Sequence, residues 1–312
     1  MVARGSGPSG YAAPMSFGML TGLGAALSWG TMDIVSALAS RRIGSLLVTA
    51  GVVVVSAAWF VLIAFIAKPS REIGADGIGA SVLLGLIGAG AYLAYFTGLR
   101  VGPISVVSGM VAAYGGLTVV LSVALRGESL TSTQAAGATI ATVGVILTGV
   151  AFDGSLRGTR FASPGVAFAV VALVLFALMA ITTDVALESA DALQVLVISR
   201  LATAIATLAA VGLLALRRGS VEEPPLVGER GRMSRTWVPI AVVTAGTLDV
   251  LGLLSFTIGL ETAPTWIVGL ASSFGPAVTI IVAVAFLGER LKPIQWFGLI
   301  GVAIGMVAIA LP

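Results

Sequence analysis

A carboxylate and a guanidinium, Asp249 and Arg200, sit deep inside long apolar runs of this sequence, and a second carboxylate, Asp33, lies nearer the end of another. An ionised carboxylate at the centre of a bilayer costs on the order of 3 kcal/mol even on lenient insertion scales. Asp249 must therefore face a cavity or a partner. Arg200 is the natural partner. Measured from the polar segment 217–235 that both runs flank, Arg200 lies 17 residues down and Asp249 lies 14. At about 1.5 Å per helical residue their depths differ by only about 5 Å. One reading is a buried ion pair joining neighbouring helices. The other is that Asp249 touches a solute or carries a coupling proton. A third chemistry is an aspartyl hydrolase, in which Asp33 and Asp249 share a proton and activate water, although their expected depths differ. Asp33 follows Trp29 by four residues, so the two share a helix face about five residues from the expected helix end. Tyr92 and Tyr95 fall at a similar depth and would complete an aromatic, acidic vestibule. The plainer alternative is interfacial anchoring by tryptophan and tyrosine. There is no histidine and no cysteine. Thiolate nucleophiles, disulfides, ordinary zinc clusters and histidine-based pairs are therefore excluded. No metal and no cofactor is expected.

The elements that hold these groups are helices in a membrane. Of 312 residues 58% are apolar and 10% are charged, with a mean hydropathy of +1.09. Soluble domains carry about 25% charged residues, so most of this surface must face lipid. Runs of roughly 20 apolar residues, enough to cross a bilayer, occur near 17–38, 45–67, 78–98, 103–125, 132–151, 163–185, 192–216, 237–260, 265–287 and 293–311. Pro103 and Pro264 suit the first turns of the fourth and ninth helices, Ser163-Pro164 opens the sixth and Lys292-Pro293 the tenth. Thr131 and Gln134 form a capping box before the fifth. The scattered basic residues give a net charge of +3 and no patch suited to nucleic acid. Residues 1–16 read as a mobile polar tail rather than a signal peptide.

The sequence repeats itself. Sliding residues 98–150 onto 259–311 without a gap, an offset of 161, superposes Gly98, Pro103, Thr118, Gly127, Glu128, Leu130, Gln134, Gly137 and Gly144 on identical residues. Helices three to five thus recur as eight to ten, and helices one and two correspond to six and seven. Each half, 17–151 and 163–311, holds five crossings. Five is odd, so the second half enters the membrane from the opposite face. The expected fold is all-α, with ten transmembrane helices as two inverted five-helix repeats. Such repeats commonly enclose a midplane site with two gates. Tyr114-Gly115-Gly116 in helix four and Gly275-Pro276-Ala277 in helix nine interrupt their helices at matching places, which is the best sequence pointer to such a site. Glu128 and Glu289 each follow a glycine just before a helix start, where a carboxylate serves to accept from free N–H groups.

The ending "GERLKPIQWFGLIGVAIGMVAIAL", its echo "GESLTSTQAAGATIATVGVILTG" and "LSWG" at Leu27–Gly30 resemble the EamA type of the drug/metabolite transporter superfamily. The resemblance spans roughly 17–311. It implies a central cavity lined mainly by helices one, three, four, six, eight and nine, and transport of small metabolites such as amino acids. On those helices Thr182, Thr183, Ser272 and Ser273 join Trp29, Asp33, Tyr92, Tyr95, Tyr114, Asp249 and Pro276 as candidate solute contacts, with Arg200 paired to Asp249. No P-loop is present, so transport would run on a gradient or as facilitated diffusion. A lipid or lipid-carrier translocator on the same scaffold is the alternative. The expected partners are a small-molecule solute and the bilayer of the cell (inner) membrane, with a monomer expected and a homodimer open. Orientation divides the signals. The resemblance implies cytoplasmic termini. Loops after odd-numbered helices, however, hold twelve basic residues, against four at the termini and in the other loops, and basic loops stay cytoplasmic.

Overall fold

The computed structural model describes residues 12–68, 73–102, 104–149, 164–218, 235–275, 277–278 and 293–310. Among them are the helices α1 (Ala12–Ile43), α2 (Ser45–Ala67), α3 (Ala75–Val101), α4 (Ile104–Ala112), α5 (Tyr114–Arg126), α6 (Ser132–Gly149), α7 (Pro164–Leu187), α8 (Ala192–Arg218), α9 (Val238–Thr262), α10 (Thr265–Ser272) and α11 (Pro293–Ala310). Five of them, α2, α3, α7, α8 and α9, are long and apolar enough to span a membrane by length and composition alone. They follow the ten runs read from the sequence. The fourth run is split into α4 and α5, and α10 represents the first half of the ninth. The largest correction is to α1. It continues to Ile43, with Arg41 and Arg42 in its last turn, instead of ending near residue 38. Asp33 therefore lies ten residues, about 15 Å, from the helix end. That is deeper along the helix than the five residues counted from the sequence. The cap signals hold where they are described. Pro164 and Pro293 open α7 and α11. Thr131 N–H donates to Gln134 Oε1, and Gln134 N–H donates to Thr131 Oγ1. Pro264 sits at the N-cap of α10, one position earlier than expected. Pro103, Ser163, Lys292, Glu289 and most of 217–235 lie outside the described residues.

The packing obeys the duplication. α1 packs along α9, and α3 packs along α7. Exchanging the halves turns one contact into the other. α2 against α8 and α6 against α11 each map onto themselves. The fold is two five-helix repeats of opposite threading, joined around a pseudo-twofold axis. Lipid offers no hydrophobic force to bring helices together, so close backbone approach at small residues must do it. The α6–α11 crossing shows how. A Cβ on Gly305 would lie 2.6 Å from the Ala141 amide nitrogen and 2.8 Å from Ala141 Cβ.

The breaks in crossings four and nine also match. In the first, Ala113 N–H bonds the Met110 carbonyl at 3.2 Å. In the second, Phe274 N–H bonds the Ala271 carbonyl at 3.3 Å. Both are tight i→i−3 bonds, and both residue pairs are related by the offset of 161. Pro276 lies outside the described residues, so the turn rests on Ser273 and Phe274 in front of it.

Replacing Gly305 with Val should overpack the α6–α11 crossing and lower stability by about 1–3 kcal/mol. Gly212→Ala is the control, because nothing lies within 4 Å of a Cβ there. It should be neutral or stabilising by up to about 1 kcal/mol. Thermal unfolding in detergent measures both, and equal transitions for the two variants would contradict the packing account.

Candidate functional site

A cavity sits where the two halves meet. It encloses ≈ 740 Å³ of atom-free space including its mouth, and its walls come from α1, α3, α4, α5, α7, α9, α10 and the turn after α10. The lining residues come in pairs that the repeat relates. At the offset of 161, Tyr92 pairs with Leu253, Tyr95 with Phe256, Val111 with Ser272, Ala112 with Ser273 and Tyr114 with Gly275. α1 and α7 align at an offset of 147, which matches Gly18 with Gly165, Ala25 with Ala172 and Ile34 with Ile181. There Trp29 pairs with Phe176, Met32 with Met179 and Asp33 with Ala180, and all six line the cavity. The pairs have diverged: Val111 and Ala112 give way to Ser272 and Ser273 in the second half, while the larger polar groups are confined to the first. The acid and all three tyrosines come from the first half. Their partners in the second half are alanine, leucine, phenylalanine and glycine. One wall is thus acidic and phenolic, and the other is largely apolar.

Tyr92 and Tyr95 stand three residues apart on α3 and so share a face. Each donates its hydroxyl proton to a different carboxylate. Tyr95 Oη reaches Asp33 Oδ2 at 2.6 Å, with Ser108 Oγ 3.0 Å behind it. Tyr92 Oη reaches Asp249 Oδ1 at 2.5 Å. Arg200 Nη2 donates to Tyr92 Oη at 2.9 Å and to Asp249 Oδ1 at 3.2 Å, and its guanidinium carbon lies 4.8 Å from the Tyr92 ring centroid. Arg200 is 2% exposed and Asp249 is fully buried. The ion pair read from the sequence is therefore present, and it lies behind the cavity wall. Asp249 reaches the cavity only through Tyr92. The two carboxylates are held by different tyrosines, and Asp249 is tied to a cation, so the geometry lacks the proton-sharing acid pair that a hydrolase would use.

The structure brings Trp29, Asp33, Tyr92, Tyr95, Tyr114, Ser272 and Ser273 to one cavity. It places Thr182 outside the lining, with its hydroxyl on the Leu178 carbonyl of its own helix. Its neighbour Thr183 lines the cavity instead. Pro276 lies outside the described residues. Sequence reasoning missed Phe176. Its ring contacts Tyr92 and Tyr95 edge-on, both at 5.7 Å, and Tyr114 at 6.0 Å, so it gathers the three phenols. The signal that could have found it is its register with Trp29. Met32, Ser108, Met179, Leu253 and Phe256 were also missed.

Polar links join the halves near one surface. Glu128 accepts from the amides of Thr265 and Trp266 at 2.9 and 3.3 Å. It caps α10 of the other repeat rather than its own α6, which the Thr131–Gln134 box already caps. Arg126 at the end of α5 donates to Asp184 at 2.7 Å and to Glu188 at 2.5 Å, both in the segment that closes α7. Counting crossings places all these groups on the side of the membrane that holds the termini.

Removing one member of the buried ion pair strands the other, which costs about 3–5 kcal/mol. Asp249→Leu and Arg200→Met should each destabilise strongly, and the two combined should cost less than the singles together. Thermal unfolding of the set in detergent gives the coupling. A double variant whose loss equals the sum of the singles would argue against the pair acting as a unit.

The comparisons with known proteins agree with this architecture. The sequence model described as the EamA-like transporter family matches residues 16–150 and 163–311, one match per half. A solved structure titled only as the crystal structure of a protein superposes with a TM-score of 0.73 at 20% identity, covering 94% of this chain and 98% of its own. That likeness concerns the fold. No curated protein matches the chain.

Proposed function

The chain belongs to the EamA-like transporter family, and from that premise we infer that it carries small, amphipathic or amino-acid-like metabolites by alternating access around the central cavity. The family makes it a multi-pass membrane transporter of small solutes. The proposal places it in the cell (inner) membrane, and its reading of alternating access is supported by one observation. A cavity with one polar and one apolar wall lies on the pseudo-twofold axis of an inverted repeat, with its lining drawn from related positions of both halves. Rocking one half against the other would then expose the same walls to either side. The breaks after α4 and α10 are suited to absorb that motion, because helical bonds there are already replaced by tight turns.

The links near the termini side supply a latch for one state. Arg126 belongs to the first half, and Asp184 and Glu188 belong to the second. In register, Arg126 meets Leu287 and Asp184 meets Ala37, so the repeat does not build the same latch on the other side. An ion pair of this exposure is worth up to about 1 kcal/mol, enough to bias two states about fivefold.

Reconstituted vesicles should take up or release at least one compound of a metabolite panel faster than empty vesicles, with and without a pH gradient. Equal flux from protein-free vesicles for every compound would count against the carrier reading. The chain has no native cysteine, so a single Ala112→Cys reports access to the cavity cleanly. Adding Arg126→Ala should raise labelling by an impermeant thiol reagent applied on the termini side about threefold to fivefold. Unchanged labelling would remove the latch.

A further inference from the structure

We propose that the cavity takes a solute with one positive charge attached to an apolar body of aromatic size, such as a hydrophobic amine or quaternary ammonium, and that Asp33 is its counter-ion. This rests on the carrier reading of the preceding subsection.

Among the described lining residues Asp33 is the one carboxylate, and there is no lysine or arginine. It is 5% exposed and lies ten residues inside the end of α1. A carboxylate there requires compensation, and the structure gives its Oδ2 one neutral donor, the hydroxyl of Tyr95. The nearby buried cation, Arg200, is not among the lining residues, and its Nη2 is held by Asp249 and Tyr92. The repeat offers no balance either, because the position related to Asp33 is Ala180. A positive charge delivered by the solute would supply what the protein withholds. Six aromatic rings line the same space, namely Trp29, Tyr92, Tyr95, Tyr114, Phe176 and Phe256. Ring faces attract cations, ammonium groups above all, and the apolar wall takes the remaining body.

The hydroxyl protons explain why an anionic or zwitterionic solute fits less well. Tyr95 spends its proton on Asp33, so Ser108 donates to Tyr95. Tyr92 spends its proton on Asp249. Ser272 and Ser273 donate to the carbonyls of Gly269 and Leu270 in their own helix, which leaves Tyr114 to donate to Ser272. Thr183 donates to Met179. The remaining N–H, on Trp29 Nε1, is buried against Gly252. Among the described lining residues a solute carboxylate would find no cation, and the one unpartnered donor, Trp29 Nε1, is packed against Gly252, whereas an ammonium needs neither.

The test uses the full chain in detergent with four matched probes: benzyltrimethylammonium, its neutral isostere neopentylbenzene, phenylacetate and phenylalanine. Binding is read by thermal shift and titration. Benzyltrimethylammonium should bind at least tenfold more tightly than each of the others. That ranking is measured on the unaltered protein, so it stands even if a variant misfolds. Asp33→Asn should cost at least tenfold in affinity for the cation and little for the neutral probe, while Asp33→Glu should retain most of the binding. Equal binding of cation and isostere, tighter binding of phenylalanine, or full cation affinity in Asp33→Asn would each overturn the proposal. Flux in vesicles separates this outcome from the carrier reading. Movement of a neutral or zwitterionic compound without cation binding would leave a carrier of different specificity. Asp33-dependent cation binding without any flux would leave the site and remove the carrier.

Discussion

A carboxylate inside an oily bundle has to be answered by a donor or a cation, and the interior of this protein is arranged around two of them. The two solutions differ. Asp249 is answered at Oδ1 by Arg200 and by the Tyr92 hydroxyl, and it is fully buried behind the cavity wall. Asp33 receives one hydroxyl and faces the cavity. Tyr92 and Tyr95, one turn apart on α3, tie both acids to the same helix face. One acid thereby becomes part of the scaffold that fixes α3, α8 and α9, while the other stays available to a ligand. Because α3 carries both tyrosines, a shift of that helix would be felt at the ion pair and in the cavity together.

The duplication explains why the scaffold can afford this asymmetry. The contacts that close the bundle, α1 with α9 and α3 with α7, are two copies of one interface. They depend on small residues and backbone approach, so they tolerate divergence elsewhere. At the cavity the halves differ in chemistry. Asp33 faces a partner position held by Ala180, and Tyr92, Tyr95 and Tyr114 face positions held by Leu253, Phe256 and Gly275. Shape is shared between the halves, and chemistry is segregated. A cavity on a twofold axis with identical walls would favour a symmetric occupant. Unlike walls favour one that is polar at a single end.

Most of the fold was legible because its cause is written in simple periodic terms. Apolar runs of spanning length mark the crossings, and Pro, Glu and Gln in one register reveal the repeat, which low-complexity apolar sequence would not give by chance. The ion pair was legible from depth counting. Four features were not. The length of α1 was underestimated because Ser36, Ala37, Ala39 and Ser40 read as a fading apolar run, whereas in the structure they continue the helix and are buried. That error moved Asp33 toward the surface. Phe176 was overlooked because a phenylalanine in a membrane helix carries no signal by itself. Its meaning lies in what it touches. The choice of Thr183 over Thr182 is a matter of helix phase, and a one-residue uncertainty rotates a side chain by about 100°. Glu128 was read correctly as a cap but assigned to the nearer helix, since sequence distance favours α6 while α10 is the terminus left without a side-chain cap.

The broken helices connect these strands. A helix interrupted inside a membrane leaves backbone groups to be satisfied, and both breaks here solve this with the same i→i−3 bond at the same register. The two breaks also touch. Gly115 sits against the other half so closely that a Cβ there would lie 2.6 Å from Ser273 Cβ and 3.1 Å from the Leu270 Cα. Across that contact Tyr114 bonds Ser272 at 2.7 Å. The weakest points of the two halves therefore meet at the cavity wall, on the axis that relates them. Any relative rotation of the halves must pass through this junction. The glycine permits the approach, the turns absorb the bend and the hydroxyl pair fixes one setting of it. A site built at the hinge is felt by both halves at once, which is the physical requirement for a bound solute to bias which side of the membrane the cavity faces.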